Sequence, residues 1–401
     1  MAKKRKAEDG ASLPGEFDLR GMIAKEKIGE KNDVEINYTT GLLPLDYYNG
    51  SYDGDGRYTL GVRGGRYMAI ISKSGVGKTT LAIQMAGAIV KGIPHAQVIH
   101  LDVEKSTVKS RILNVLKWTE EEYSEKYIHL DEGLTTDNVY KLIKKTRSHK
   151  VEHFDEIAYD AVNDQTGETV KALPPTVVIL DSLSTLAPEN MGSDEEKMDG
   201  KIIGAQIAAA NSVLFRSILS DLSQGNIFLV CIAHISTKIE TNAYVKTQAQ
   251  VNFLRQDEHI AGGAKAIYLA NYILKLIAAQ KLSPDEEYGI KGFKVIAELI
   301  KSRAAPAGTS VPLVFDQVNG YNNRLSILGL MIDLKAVSGS GKYYLDELPD
   351  VKFTKKTFAK IYSENAEFKK AFNRKAKSVL KSVVPVPERV AELEGLQVER
   401  E

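Results

Sequence analysis

Nine consecutive residues, Ser72-Lys73-Ser74-Gly75-Val76-Gly77-Lys78-Thr79-Thr80, have the types and spacing of a loop that holds a triphosphate. Gly75 and Gly77 let successive backbone N–H groups converge on phosphate oxygens at the positive end of the helix that follows. Lys78 brings a charge to the β- and γ-phosphates, and the Thr79 hydroxyl can hold a metal ion. Ser72 stands where this loop pattern has its first glycine. The expected ligands are ATP and Mg²⁺. A second element, Thr176-Val-Val-Ile-Leu-Asp181, is an apolar strand ending in a carboxylate, which next to such a loop would hold Mg²⁺ together with Thr79. A third, Val98-Ile-His-Leu-Asp102-Val-Glu104, brings two more acids to the same edge. Glu104 is placed to orient and activate an attacking water, whereas Asp102 is read as a cap. His234 follows the apolar run Ile227–Ala233, where a side chain can sense the γ-phosphate.

These residues need a sheet to hold them. Strands are expected over Tyr67–Ser72, Val98–Asp102, Thr176–Asp181, Ile227–Ala233, Tyr272–Leu276 and Phe293–Ser302. The first four are continuous apolar runs, as in parallel strands covered on both faces. After the phosphate loop, Ala82, Met85, Ala86 and Ile89 recur at helical spacing and predict one buried face. Phe293–Ser302 and Thr309–Phe315 are separated by a turn rich in Pro and Gly and should pair antiparallel. The polar stretch between Val151 and Pro175 reads as a surface insertion. The fold class is therefore α/β: a P-loop ATPase core with a mainly parallel central sheet over residues 37–320. A charged tail with a short amphipathic stretch that should dock on another surface precedes it (1–36), and a small, lysine-rich C-terminal domain and tail follow it (321–401).

Composition sets bounds on partners. The 401 residues carry 53 Lys+Arg against 52 Asp+Glu, so polyanions must be met by local clusters and not by a global field. The single cysteine, Cys231, sits in an apolar run and reads as a small buried hydrophobe in a reducing compartment. No apolar run approaches the ~20 residues of a bilayer span, and the Met1-Ala-Lys-Lys-Arg-Lys start reads as a solvated tail and not a signal peptide. A cytoplasmic protein without membrane contact is expected.

In order and spacing the chain resembles the family of DNA strand-exchange recombinases that includes bacterial RecA and phage UvsX. The resemblance runs from Thr40-Gly-Leu-Leu-Pro-Leu-Asp46 to about Phe372. It takes in the phosphate loop, Leu-Asp-Val-Glu104, Ile-Leu-Asp-Ser-Leu183, Ile-Ala-His234, Ala261-Gly-Gly-Ala-Lys265, Ile300-Lys-Ser-Arg-Ala-Ala-Pro306 and Leu325–Ala336. It implies a RecA-like fold, a short N-terminal oligomerisation segment (1–36) that packs on the neighbouring subunit, ATP-dependent helical filaments on single-stranded DNA, and pairing and exchange with double-stranded DNA. The compartment would be host cytoplasm if the chain is phage-encoded like UvsX. Single-strand-binding and loading proteins would be further partners. Arg111 stands about where the family has an adenine-stacking tyrosine; a guanidinium can also stack. The resemblance places Lys301 and Arg303 at a subunit interface facing the γ-phosphate of the neighbour's ATP. Their i, i+2 spacing on a strand would send both to one face.

Two DNA-facing loops follow from the same resemblance. The first is Pro188–Gly204, with Met191, Lys197 and Lys201. The second is Ser236–Gly263, with Lys238, Tyr244, Lys246, Phe253, Arg255, Gly262 and Gly263, and Lys265 just beyond it. Cations interleaved with aromatics suit a single strand, whose phosphates need charge and whose bases need a stacking surface. A ring-forming helicase or motor on the same core is a less good match, because neither a separate N-terminal helical domain nor zinc-finger cysteines are read in the chain. A filament scaffold that binds nucleotide without turnover fits less well with Lys78, Asp181 and Glu104 all in place.

Overall fold

The computed structural model describes residues 34–52, 56–189, 200–237, 253–285, 287–303, 305–387 and 390. Glu35 onward forms one compact unit. Of the expected DNA-facing residues, Met191, Lys197, Lys238, Tyr244 and Lys246 lie outside the described residues, as do the basic N-terminal tail and the last eleven residues.

The sheet strands, in chain order, are β1 (Tyr67–Ser72), β2 (Gln97–Asp102), β3 (Tyr127–Leu130), β4 (Thr176–Asp181), β5 (Ile227–Thr237), β6 (Glu258–Ile260), β7 (Tyr272–Leu282), β8 (Gly292–Lys301), β9 (Thr309–Asp316) and β10 (Gly320–Tyr321). They lie in the order β10-β9-β8-β7-β1-β5-β4-β2-β3, with β6 added to the end of β5. The six strands from β7 to β3 run parallel; β8, β9 and β10 extend the sheet antiparallel. This is the expected parallel centre with its hairpin.

Both faces of β1 are covered, which is why its residues form an unbroken apolar run. Met68 and Ile70 pack on one side with the helix α1 (Lys78–Val90), whose Ala82, Met85, Ala86 and Ile89 are all buried there. Tyr67, Ala69 and Ile71 face the other side, against α2 (Thr136–Glu152) and α3 (Gly200–Gln224). The period-two alternation of a strand sorts them into two cores. Cys231 is fully buried, and burial pushes its thiol up to about 12.

Two local expectations change and a third gains detail. The polar stretch expected as a surface insertion is a largely exposed hairpin, Tyr159–Val162 pairing with Thr169–Ala172 after α2 ends at Glu152. Its turn is tied inward, Asp164 accepting from the Asn37 amide at 2.6 Å. Strand β5 continues through His234 to Thr237, because β6 supplies ladder partners for Ile235, Ser236 and Thr237. Strand β8 ends at Lys301, so Arg303 lies in the following turn and alternation along a strand does not fix its direction.

Beyond β10 come the helices α4 (Asn323–Asp333), α5 (Phe358–Glu364) and α6 (Ala366–Ser382), with a hairpin of Tyr343–Leu345 and Leu348–Phe353 between the first two. Phe353, Phe358, Phe368 and Phe372 give these elements an aromatic core, which also takes in Tyr47 and Val314.

Candidate nucleotide site

The phosphate loop leaves β1 at Ser72 and enters α1 at Lys78. Gly75 and Gly77 have φ of +80° and +91°, in the left-handed region where a side chain is strained. No heavy atom comes within 4 Å of a Cβ built on Gly75, so the mouth of the loop is open. A Cβ on Gly77 would meet the Tyr321 hydroxyl at 3.1 Å and the Phe315 ring at 3.2 Å. Tyr321 donates to the Val76 carbonyl at 3.0 Å. Strands β9 and β10 thus brace the back of the loop, a contact that local sequence gives no sign of because 245 residues separate the partners.

Ser72 sits in the first-glycine position without strain, as the last residue of β1. Lys78 Nζ donates to its Oγ at 3.1 Å and its carbonyl at 3.2 Å, and to the Lys73 carbonyl at 3.0 Å. Lys78 is 5% exposed, and burial lowers its pKa to about 8 against the opposing pull of Asp181 and Glu104. A cation held this way is ready to turn to a phosphate. Ser74 and Lys73 lie exposed on the loop, while Val76 is buried beneath it.

Asp181 ends β4 in register with Asp102 at the end of β2. Thr79 donates its hydroxyl to Asp181 Oδ2 at 2.5 Å, so the two expected metal-holding groups are already together. Burial raises the Asp181 carboxyl to about 6. That is the environment in which a dication would be welcome, since it restores the charged carboxylate. Asp102 has the other role: its two oxygens accept from the Ser106 and Thr107 amides at 3.1 and 2.8 Å, capping the turn after Glu104.

Glu104, His234 and Ser182 converge. The Ser182 hydroxyl and His234 Nε2, the latter at 3.1 Å, both contact Glu104 Oε1, and His234 Nδ1 lies 3.3 Å from Lys78 Nζ. His234 pairs with Ser72 across the β5–β1 ladder, which fixes its height beside the loop. Burial, then the Lys78 charge, lowers the His234 pKa. The sequence gives Ser182 no role of its own; its place directly after the strand-end carboxylate Asp181 is the available signal.

Arg111 reaches the same site from the other side. It donates to the Gln317 and Val318 carbonyls at 2.7 Å each and lies 3.3 Å from the Thr80 hydroxyl. The guanidinium therefore forms a wall between α1 and the β9–β10 turn.

Two of the expected cations stand elsewhere. Lys301 pairs with Ile273 in β7, and Ile273 with Ala69 in β1, three residues before the loop begins. Its Nζ donates to the Tyr268 carbonyl at 2.7 Å, at the entry to β7. Arg303 is exposed and close enough to help depress the Lys301 pKa, after burial. Roughly 10 Å along the strands and about 10 Å across two strand spacings separate Lys301 from Ser72. These cations do not serve the phosphate loop of their own chain.

The residues expected to face DNA divide by burial. Helix α3 begins at Gly200, so the first loop ends sooner than expected, and Lys201 lies in that helix. The second loop has a stem, because β5 and β6 clamp its two ends as an antiparallel ladder. Arg255 and Lys265 are exposed. Phe253 packs partly on the core, its ring 6.0 Å from that of Tyr268, which is 45% exposed. Gly262 and Gly263 have a structural reason of their own: a Cβ on Gly262 would sit 2.4 Å from the Leu183 carbonyl, and one on Gly263 3.1 Å from Ala208. Glu258, buried in β6, faces Lys275 at 3.5 Å and the loop residue Lys73 at 3.9 Å. Sequence reading missed it.

Compared with known proteins, residues 60–213 match the family model of the AAA domain. That segment runs from just before β1 into α3 and contains the phosphate loop, Glu104, Asp181 and Ser182. No curated protein matches the chain. The fold and the matched segment define a P-loop ATPase-type domain consistent with a RecA-like core, and a loop of this type implies nucleotide binding. Among the described residues no helix is long and apolar enough to cross a membrane.

Proposed function

We propose that the protein is an ATP-dependent DNA strand-exchange recombinase, assembling as a helical filament on single-stranded DNA and pairing it with homologous double-stranded DNA. The observation that carries this reading is the placement of Lys301 and Arg303. Two cations side by side repel unless an anion lies between them, and neither reaches its own phosphate loop. A second copy whose ATP faces them supplies that anion, so nucleotide joins subunits and hydrolysis loosens them.

Chemistry within one subunit fits the same cycle. The phosphate loop, with Lys78 and Arg111, would hold ATP, and Thr79 and Asp181 its Mg²⁺, which neutralises developing charge on the phosphates. Glu104 is then the base that orients water. His234 touches both Lys78 and Glu104 and lies on the strand whose end forms the stem of the second DNA loop. A shift of Lys78 toward phosphate would be felt by His234 and passed up that ladder. Arg255, Lys265 and Tyr268 offer the charge and stacking surface that a single strand needs.

Electron microscopy of the protein with single-stranded DNA and a slowly hydrolysed ATP analogue tests the reading. Helical filaments are expected, and strand exchange between homologous substrates with ATP. Closed rings, or neither assembly nor exchange, would point to a motor or a scaffold on the same core.

A further inference from the structure

The nucleotide site leaves unused a second group of chemistry-bearing side chains, at the far end of α2. His149 and Glu152 lie in its last turn and His153 is the residue that caps it, and one ligand atom from each lies within 4.8 Å of the others. The i, i+3, i+4 spacing stacks them on one face of the helix. The His149 and His153 rings stand 4.3 Å apart between centroids, tilted by 49°. His153 Nδ1 is 2.9 Å from the His149 carbonyl. That bond fixes the tautomer with hydrogen on Nδ1 and leaves Nε2 as a lone-pair donor, the arrangement that orients a metal-bound imidazole. The helix ends here, so its exposed carbonyls add negative potential where a cation would sit.

We propose that His149, Glu152 and His153 form a site for a divalent transition-metal ion of the zinc class. Two imidazoles and one carboxylate suit a borderline ion and not Mg²⁺, which takes oxygen ligands and keeps its waters. Around a tetrahedral ion at ~2.0–2.1 Å from each ligand, neighbouring donors stand roughly 3.4 Å apart. From separations of up to 4.8 Å, a closure of no more than about 1.4 Å through side-chain rotation reaches that spacing. A fourth position stays open to water or to a group from another molecule. The bound ion would also brace the last turn of α2, where Lys150 ties the helix to Pro174 and Thr176.

The test uses the full chain, freed of metal with a chelator and without nucleotide or Mg²⁺, titrated with zinc chloride. Calorimetry should give one saturable equivalent, and the melting temperature should rise with zinc. The His149→Ala/His153→Ala variant should keep its metal-free melting temperature and lose both responses; His149→Ala or Glu152→Gln alone should weaken binding by roughly tenfold or more. Absence of saturable binding by the parent protein overturns the proposal. So does equal binding by the double variant, which would move the ion to other ligands such as Asp181.

Discussion

His234 bridges Lys78 and Glu104, with one ring nitrogen 3.3 Å from the ammonium and the other 3.1 Å from the carboxylate. A phosphate-loop cation and the proposed base are thus joined through one imidazole, and removing each of the three should give a different defect. Lys78→Ala should abolish turnover and weaken ATP binding, because the phosphate charge goes uncompensated. Glu104→Gln should keep ATP binding and lower the hydrolysis rate by about 10²–10⁴-fold. His234→Ala should retain much of the basal rate and lose its stimulation by single-stranded DNA. Steady-state ATPase assays with and without DNA, beside nucleotide titrations, separate the three; a Glu104→Gln enzyme with a normal rate would move the base elsewhere.

Glu258 is the buried anchor of the stem. Changing it to Gln leaves Lys275 facing an uncharged partner at low exposure and should cost about 3 kcal/mol of stability. Glu258→Gln/Lys275→Met, which removes both charges, should recover much of that loss. Denaturant melts of the two variants check this, and equal losses would show that the pair is not coupled.

Lys150 sets a pH dependence of stability. Burial lowers its pKa from 10.5 to about 7. Between those values the unfolded chain holds a proton that the folded chain has released, so this group makes stability rise with pH from about 7 toward 10.5. Each tenfold change in proton affinity is worth about 1.4 kcal/mol. Lys150→Met removes that contribution, so the parent protein should gain on the variant as pH rises from 7 to 10. A parent-minus-variant difference that is flat with pH would mean the ammonium stays charged among its three oxygen acceptors, the Pro174 and Asn226 carbonyls and the Thr176 hydroxyl.

Arg255 and Lys265 should contact phosphates. Each change to Ala should weaken single-strand binding to a similar degree for any base sequence, and lower the slope of log affinity against log salt by about 0.7. Fluorescence titrations at several salt concentrations measure the slope; unchanged slopes would remove both from the DNA surface.

The central strands and the phosphate loop were readable because their signals are local. Continuous apolar runs mark β1, β2, β4 and β5, and a loop between strand and helix has few alternatives. The Asp181–Thr79 contact was also readable, since a strand-end carboxylate in a parallel sheet has one place to go. What local pattern could not supply were partners distant in sequence. Tyr321 behind Val76, Glu258 between Lys73 and Lys275, and Ser182 on Glu104 all depend on strand order. The ends of β5 and β8 were misjudged for the same reason: pairing with β6 carries β5 past His234, and the turn after Lys301 releases Arg303 from the ladder. Aromatic Phe253 looked like a stacking residue by type alone, and packing against Tyr268 draws it partly into the core.

In the proposed filament, ATP held by one copy is completed by Lys301 and Arg303 of the next. Two inactive variants, Lys78→Ala and Lys301→Ala/Arg303→Ala, are mixed over a range of ratios with single-stranded DNA, and co-assembly is followed by labelled subunits. ATPase activity should return in the mixtures and peak at intermediate ratios, because some interfaces then pair an intact phosphate loop with intact cations. Mixed filaments with no recovered activity at any ratio would contradict a shared site.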